Sequence, residues 1–112
     1  PSLVGSEMCK ETGLLDAKGG NITIGKNVGI GYRCQLLTTN HSYTDKKKRT
    51  GKVIASDITI GDGCWIGAGS IINPGVIIGD GCVIASGSVV TRDCISNGLY
   101  AGVPAKMIKR LE

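Results

Sequence analysis

The chain has 112 residues, a length that predicts one domain spanning residues 1–112. It contains 18 glycines, one tryptophan, three tyrosines and no phenylalanine, which argues against a globular core built on large aromatic side chains. The net charge of +4 is too small to indicate a nucleic-acid-binding protein, and no apolar stretch has the length of a membrane span.

The N-terminal segment, residues 1–18, fits the rest of the sequence poorly. It has no basic start followed by an apolar run, so no signal peptide is predicted. Val4 precedes Ile22 by 18 positions, which predicts a degenerate first coil or a cap ahead of a repeat.

Every sixth position from Ile24 to Val90 is apolar except Ser42 and Lys48, and the last seven members, from Ile54, are uninterrupted. A second column of small or medium residues falls four positions later, and its members are Val28, Cys34, Cys64, Ser70, Val76, Cys82, Ser88 and Cys94. Because six is a multiple of two, both columns face the same side of extended strands, whereas six does not fit the α-helical period. Three such strands per coil of about 18 residues predict an all-β protein, a parallel β-helix.

Four of the five cysteines belong to the second column. An odd number of cysteines without a CxxC pair indicates neither a disulfide framework nor a zinc ribbon. We therefore expect Cys64 and Cys82, one coil apart, to stack as small buried residues in a reducing, cytoplasmic setting.

The repeat fails between Ser42 and Val53, which predicts a protruding loop over about residues 41–53 and a return to the stack at Ile54. His41, the only histidine, stands at the start of this loop, where an imidazole could accept a proton from a hydroxyl group. The basic run Lys46–Arg49 is typical of a solvated loop tip, and an alternative interpretation is that it attracts an anionic substrate.

Trp65 lies between inward-facing Cys64 and Ile66, so its side chain is predicted to point outward. It could line a binding site or pack at a subunit interface, and both interpretations stay open. Towards the C-terminus, Pro104 is predicted to open a short helix within a cap of about residues 99–112 that shields the last strand edges.

Four segments together carry a resemblance that covers residues 21–111: ITIGKNVGIG, TTNHSY, ITIGDGCWIGAGSIINPGVIIGDGCVIASGSVVTRD and AGVPAKMIKRL. In these the chain resembles the hexapeptide-repeat acyltransferases, above all the maltose and galactoside O-acetyltransferases and their relatives that acetylate polysaccharides. The resemblance implies a left-handed parallel β-helix and a homotrimer with active sites between subunits. It also implies acetyl-coenzyme A as the donor and a hydroxyl of a sugar or glycan as the acceptor, with no metal.

The resemblance assigns roles residue by residue. It implies that His41 is the general base and that the wall bearing Trp65 lines the acceptor and pantetheine end of the site. It places Ala68 and Ser86 at the pantetheine amides. The residues that it places near the nucleotide phosphates, which Arg and Lys suit, are Thr91, Arg92, Lys106 and Lys109.

Other functions share this scaffold. The acceptor could instead be an amino sugar, a serine-like amine or an antibiotic hydroxyl, and a β-helix can also serve as a structural subunit without activity. A zinc-dependent carbonic anhydrase of the same fold needs three histidine ligands, and a single histidine per chain argues against it.

Overall fold

The protein is built of short β-strands that form three mainly parallel sheets and one two-stranded antiparallel sheet. The computed structural model describes the backbone of residues 3–5, 9–10 and 14–16 and the backbone and side chains of residues 19–112, and no helix occurs among them. Sheet 1 contains β1 (Leu3–Gly5), β4 (Ile22–Ile24), β9 (Ile58–Ile60) and β12 (Ile77–Ile78). Sheet 2 contains β2 (Cys9–Lys10), β5 (Gly29–Ile30), β10 (Trp65–Ile66), β13 (Val83–Ile84), β15 (Gly98–Gly102) and β16 (Ala105–Arg110). Sheet 3 contains β3 (Leu14–Asp16), β6 (Gln35–Leu37), β11 (Ile71–Ile72) and β14 (Val89–Val90).

From β9 to β14 the chain visits sheets 1, 2 and 3 in turn, one strand at a time. Ile60 pairs with Ile78, and Ile66 pairs with Ile84, so each isoleucine lies beside the one 18 positions later. Ile72 pairs with Val90 in the same way. The predicted coil of 18 residues is therefore confirmed for this part of the chain.

The two predicted columns of the repeat form the buried core. Of the apolar column, every member from Ile24 to Leu36 and from Ile60 to Val90 is buried, and so are all eight members of the second column. The position directly after the apolar column must often hold a small residue, because it lies against the backbone of the next coil. A Cβ added at Gly67, for example, would lie 2.6 Å from the backbone nitrogen of Ser86 in the next coil.

Ile54 is an exception, and the prediction that the stack resumes there is wrong. Its side chain is 49% exposed, and Ile24 pairs directly with Ile60, 36 positions later. A segment of 18 residues, three repeat lengths, has left the stack, so Ile54 keeps the phase of the repeat without a place in the core. The excursion runs through an antiparallel hairpin of β7 (Thr39–His41) and β8 (Val53–Ala55), slightly wider than the predicted loop.

The expected first coil is present in the backbone, with a different register. The strands β1, β2 and β3 pair with β4, β5 and β6, one in each sheet. Val4 pairs with Thr23, whereas the spacing predicted Ile22 as its partner. The register differs because this coil is longer than 18 residues: Leu3 to Ile22 is 19 positions, and Leu14 to Gln35 is 21.

The predicted C-terminal helix is wrong, since residues 105–110 form strand β16. This strand pairs antiparallel with β15 at the edge of sheet 2, so the cap is a β-hairpin. Pro104 lies in the turn between the two strands. Proline suits a turn as well as a helix start, and the unpaired edge of β15 supplied the partner that the sequence pattern does not reveal.

The cysteines of the second column are free, buried thiols. Three of them, Cys34, Cys64 and Cys82, donate to backbone carbonyls of the next coil, whereas Cys94 Sγ contacts Arg92 O in its own coil. Cys64 Sγ donates to Gly79 O at 3.1 Å, and Cys82 Sγ donates to Ile95 O at 3.1 Å. Ser70, in the same column, likewise donates its Oγ–H to Ala85 O at 3.1 Å. The expectation that these cysteines are small core residues is confirmed for Cys34, Cys64, Cys82 and Cys94, while the side chain of Cys9 lies outside the described residues.

Burial makes the thiols of Cys64 and Cys94 poor nucleophiles, and chemical labelling tests this. Desolvation by burial raises the pKa of Cys64 from 9.0 to about 11 and that of Cys94 from 9.0 to about 12. We predict that iodoacetamide at pH 8 modifies Cys64 and Cys94 only slowly in the folded protein and fully in guanidinium, as read for each peptide by mass spectrometry. The unfolded chain loses these protons first, so the free energy of unfolding should also fall as pH rises from about 9 towards 11–12. Rapid labelling of the folded protein would contradict this assignment.

Candidate active site

The hairpin of β7 and β8 places His41 at the surface, where the excursion leaves the stack. His41 is paired with Val53 across the hairpin, and its side chain is exposed. Its backbone N–H donates to the Oδ1 atom of Asn40 at 2.9 Å. The predicted position of the histidine, at the base of the protruding loop, is confirmed.

A backbone carbonyl holds the imidazole ring in one orientation. His41 Nδ1 lies 2.8 Å from the carbonyl oxygen of Gly51, which returns along the other side of the loop. A carbonyl oxygen can only accept, so Nδ1 carries the proton of this bond. In the neutral ring, Nε2 therefore has a free lone pair and can accept a proton from a ligand.

The ring lies at a cavity of about 380 Å³. The residues that line it are Asn40, His41, Ser42, Tyr43, Thr44, Ile54, Ser56 and Pro74. Seven of these lie on the hairpin strands β7 and β8 or next to them. Pro74 lies at the corner between sheets 3 and 1. The lining combines hydroxyl and amide groups with two apolar side chains, a mixture that suits a small polar ligand.

A second cavity, of about 500 Å³, collects three of the residues that the resemblance assigns to phosphates. Its lining consists of Thr91, Arg92, Asp93, Tyr100, Pro104, Ala105, Lys106 and Met107. Arg92 and Lys106 are exposed and place two cations on this cavity. Asp93 does not neutralise them through an ion pair, and its Oδ1 accepts the N–H of Ile77 at 2.8 Å.

Lys109 does not line this cavity. It faces Leu99 across the C-terminal hairpin and is exposed. The predicted helix would have set Lys106 and Lys109 on one face, three residues apart. The strand that forms instead has an irregularity in its pairing between Leu99 and Tyr100.

Trp65 points outward from sheet 2, as predicted, with 61% of its surface exposed. Its strand neighbours are Gly29 and Val83, one on each side. Ala68 and Ser86 are exposed turn residues one coil apart, at the corner between sheets 2 and 3. Gly87 N donates to Ala68 O at 2.9 Å, while the N–H groups of Ala68 and Ser86 have no partner among the residues that the structure describes.

One chain does not bring all of these residues together. Ala68 precedes β11 of sheet 3, whereas Pro74, at the histidine cavity, follows it, so the two lie at opposite corners of this sheet. Trp65, Ala68 and Ser86 line neither cavity. The structure thus separates the predicted residues into a histidine group, a cationic group, and a group on sheet 2 and its corner with sheet 3.

Sequence reasoning missed the residues that orient or surround the histidine. The sequence does not indicate that the carbonyl of Gly51 orients His41, because every residue has a backbone carbonyl. Tyr43 lies within the predicted loop, Ser56 follows it, and both carry hydroxyl groups, but only the hairpin pairing shows that they meet at one cavity.

No group of three or more His, Cys, Asp and Glu side chains that could hold a metal ion occurs in residues 19–112. Within that same part of the chain there is no helix long and apolar enough to cross a membrane.

The repeat region and the whole chain match known proteins. Residues 57–92 match the family described as bacterial transferase hexapeptide (six repeats). A crystal structure of a maltose O-acetyltransferase from Clostridium difficile has a TM-score of 0.80 and 33% identity, covering 100% of this chain and 67% of that one. The chain belongs to the bacterial transferase hexapeptide family.

Further members of the hexapeptide family are also similar. The hexapeptide-repeat acetyltransferase of Vibrio cholerae has a TM-score of 0.89 and 35% identity over 97% of this chain and 62% of its own, and it has also been solved in complex with acetyl-coenzyme A. The galactoside O-acetyltransferase of Escherichia coli is 42% identical over 80% of this chain and 44% of its own. The chain spans about half the length of the curated relatives that it matches.

Proposed function

We propose that the protein is an acetyl-coenzyme A-dependent O-acetyltransferase that acts on a hydroxyl group of a sugar or glycan. One observation carries the proposal: Gly51 O fixes the Nδ1 proton of His41 and leaves Nε2 available at a cavity lined with hydroxyl groups. Membership of the hexapeptide family, which includes a galactoside and a maltose O-acetyltransferase, supports the reaction class.

The reaction needs a base that works near neutral pH. Nε2 of His41 takes the proton of the acceptor hydroxyl while the hydroxyl oxygen bonds to the thioester carbonyl carbon. The tetrahedral intermediate then breaks its carbon–sulfur bond, and the departing thiolate receives the proton from the imidazolium. The Nδ1–H···O=C bond to Gly51 is compatible with both ring states, so the ring keeps its orientation throughout.

Coenzyme A fits the other two groups of residues. Arg92 and Lys106 offer cations to phosphate groups, with the hydroxyl of Thr91 beside them. The free N–H groups of Ala68 and Ser86 could donate to the amide carbonyls of pantetheine, beside the wall that bears Trp65. In this proposal Lys109 contributes only its charge near the phosphates.

The assembly follows from the separation of these groups within one chain. We propose a left-handed β-helix that forms a homotrimer, as the family resemblance implies. Neighbouring subunits would then bring the histidine group of one chain opposite Trp65, Ala68 and Ser86 of the next. An exposed tryptophan on a sheet wall is consistent with such an interface, where it could both pack and line the site.

The test is release of the coenzyme A thiol from acetyl-coenzyme A with a panel of neutral and acidic sugars, together with calorimetry of acetyl-coenzyme A binding. We expect binding, and thiol release only when an acceptor is present. Arg92→Gln should raise the dissociation constant roughly 10-fold, because a charge-assisted contact to phosphate is lost. Lys26→Gln, another exposed cation, is the matched control and should bind normally. Protein that binds no acetyl-coenzyme A would favour a structural role instead.

A further inference from the structure

The net charge of the chain is concentrated in the loop that follows His41. This basic loop, residues 42–52, contains five cations, Lys46, Lys47, Lys48, Arg49 and Lys52, and one anion, Asp45. Its charge of +4 equals that of the whole chain, since 13 basic and 9 acidic residues leave eight of each elsewhere. A stack that is otherwise balanced thus carries one strongly positive projection.

The backbone of the basic loop is held in place by its own groups. Asp45 Oδ1 accepts the N–H of Lys47 at 2.9 Å, and Asp45 O accepts the N–H of Lys48 at 3.1 Å. Arg49 Nη1 donates to Tyr43 O at 2.8 Å. Asp45 and Arg49 therefore shape the loop, and the lysines are left to act as charges.

No lysine side chain of the loop forms an ion pair or hydrogen bond with any residue in 19–112. All of them are exposed. An ammonium group on a flexible stem, without a carboxylate partner, attracts anions without demanding one geometry. The lysines of the basic loop are therefore suited to attract an anionic ligand and contact it loosely, rather than to form a fixed binding pocket.

The basic loop is continuous with the histidine cavity. Tyr43 and Thr44 line that cavity and directly precede Asp45 and Lys46. The residues that line the cavity include no carboxylate that would repel an anion. A ligand that carries negative charge would gain attraction from the loop while its hydroxyl group lies at His41.

We propose that the acceptor is an acidic sugar, a carboxylate-bearing saccharide held near His41 by the basic loop. The inference rests on the proposed acetyl transfer and specifies its acceptor. The spread of cations over seven positions, from Lys46 to Lys52, is longer than one carboxylate needs and favours several acidic units in a row. The phosphates of coenzyme A have cations of their own in Arg92 and Lys106, at a different cavity.

The test compares thiol release with galactose, galacturonate and oligogalacturonate for the unaltered protein and two double variants. Lys46→Gln/Lys48→Gln removes two charges from the loop. Lys26→Gln/Arg110→Gln removes two exposed charges elsewhere and is the matched control. We expect the loop variant to lose roughly 5- to 10-fold in kcat/KM for the acidic acceptors at low salt, with galactose and the KM for acetyl-coenzyme A unchanged. Added salt should reduce the difference.

The outcomes separate the inference from the proposed function. Transfer to galactose that equals or exceeds transfer to both acidic acceptors overturns the inference and leaves the acetyltransferase proposal intact. An equal loss in the control variant, or a rise only in the KM for acetyl-coenzyme A, also overturns it. A larger loss with the oligomer than with the monomer identifies a polymeric acceptor, and no thiol release with any sugar overturns both proposals.

Discussion

Replacing His41 with alanine is expected to lower kcat for acetyl transfer by about 1000-fold, within the range typical of losing a general base. The exposed side chain contacts little else, so the fold should be retained. The KM for acetyl-coenzyme A should stay the same, because the proposed phosphate contacts lie at another cavity. Thiol release measured against acetyl-coenzyme A concentration, at a saturating acceptor concentration, gives both quantities.

His41→Asn separates the chemical role of the ring from its structural role. The amide nitrogen of asparagine can occupy the place of Nδ1 and donate to Gly51 O, but the residue has no counterpart of Nε2. We expect this variant to match the unaltered protein in thermal unfolding and to be as inactive as His41→Ala. Full activity in either variant would show that another group accepts the proton.

The fold could be predicted from the sequence where the core consists of repeated identical contacts. Ile60, Ile66 and Ile72 each pair with a similar residue in the next coil, 18 positions later. The six-residue period is therefore enough to predict which residues pair. The ends follow other rules. At the C-terminus, residues 105–110 became a strand because β15 offered an unpaired edge, and a local pattern does not report a tertiary partner.

The candidate site was predictable where a residue type is rare. One histidine and one tryptophan in the chain stand out, and the structure places both at exposed positions as expected. The gathering of Arg92 and Lys106 at one cavity required the C-terminal hairpin, and the orientation of His41 depends on a backbone carbonyl. The catalytic and binding roles of these residues stay predictions that the variants above test.

Truncating two isoleucines of the same repeat column should lower the stability of the protein by different amounts. The comparison tests whether the segment that contains Ile54 has left the stack. Ile66 is completely buried, and truncation to alanine removes several methyl and methylene groups from a packed core. We expect Ile66→Ala to lower the free energy of unfolding by about 2–5 kcal/mol. Ile54 is 49% exposed on the hairpin, so Ile54→Ala should cost about 1 kcal/mol or less.

The two variants make the same chemical change at the same phase of the repeat, so each is the control for the other. Denaturant unfolding curves, fitted with a common slope, give the difference directly. Periodicity alone predicts equal losses, because it assigns both residues to one ladder. If Ile54→Ala destabilises the protein as much as Ile66→Ala, the coil that contains Ile54 lies in the stack and the pairing of Ile24 with Ile60 is wrong. A small loss at Ile54 together with altered acceptor kinetics would instead fit its place beside His41, at the wall of the cavity.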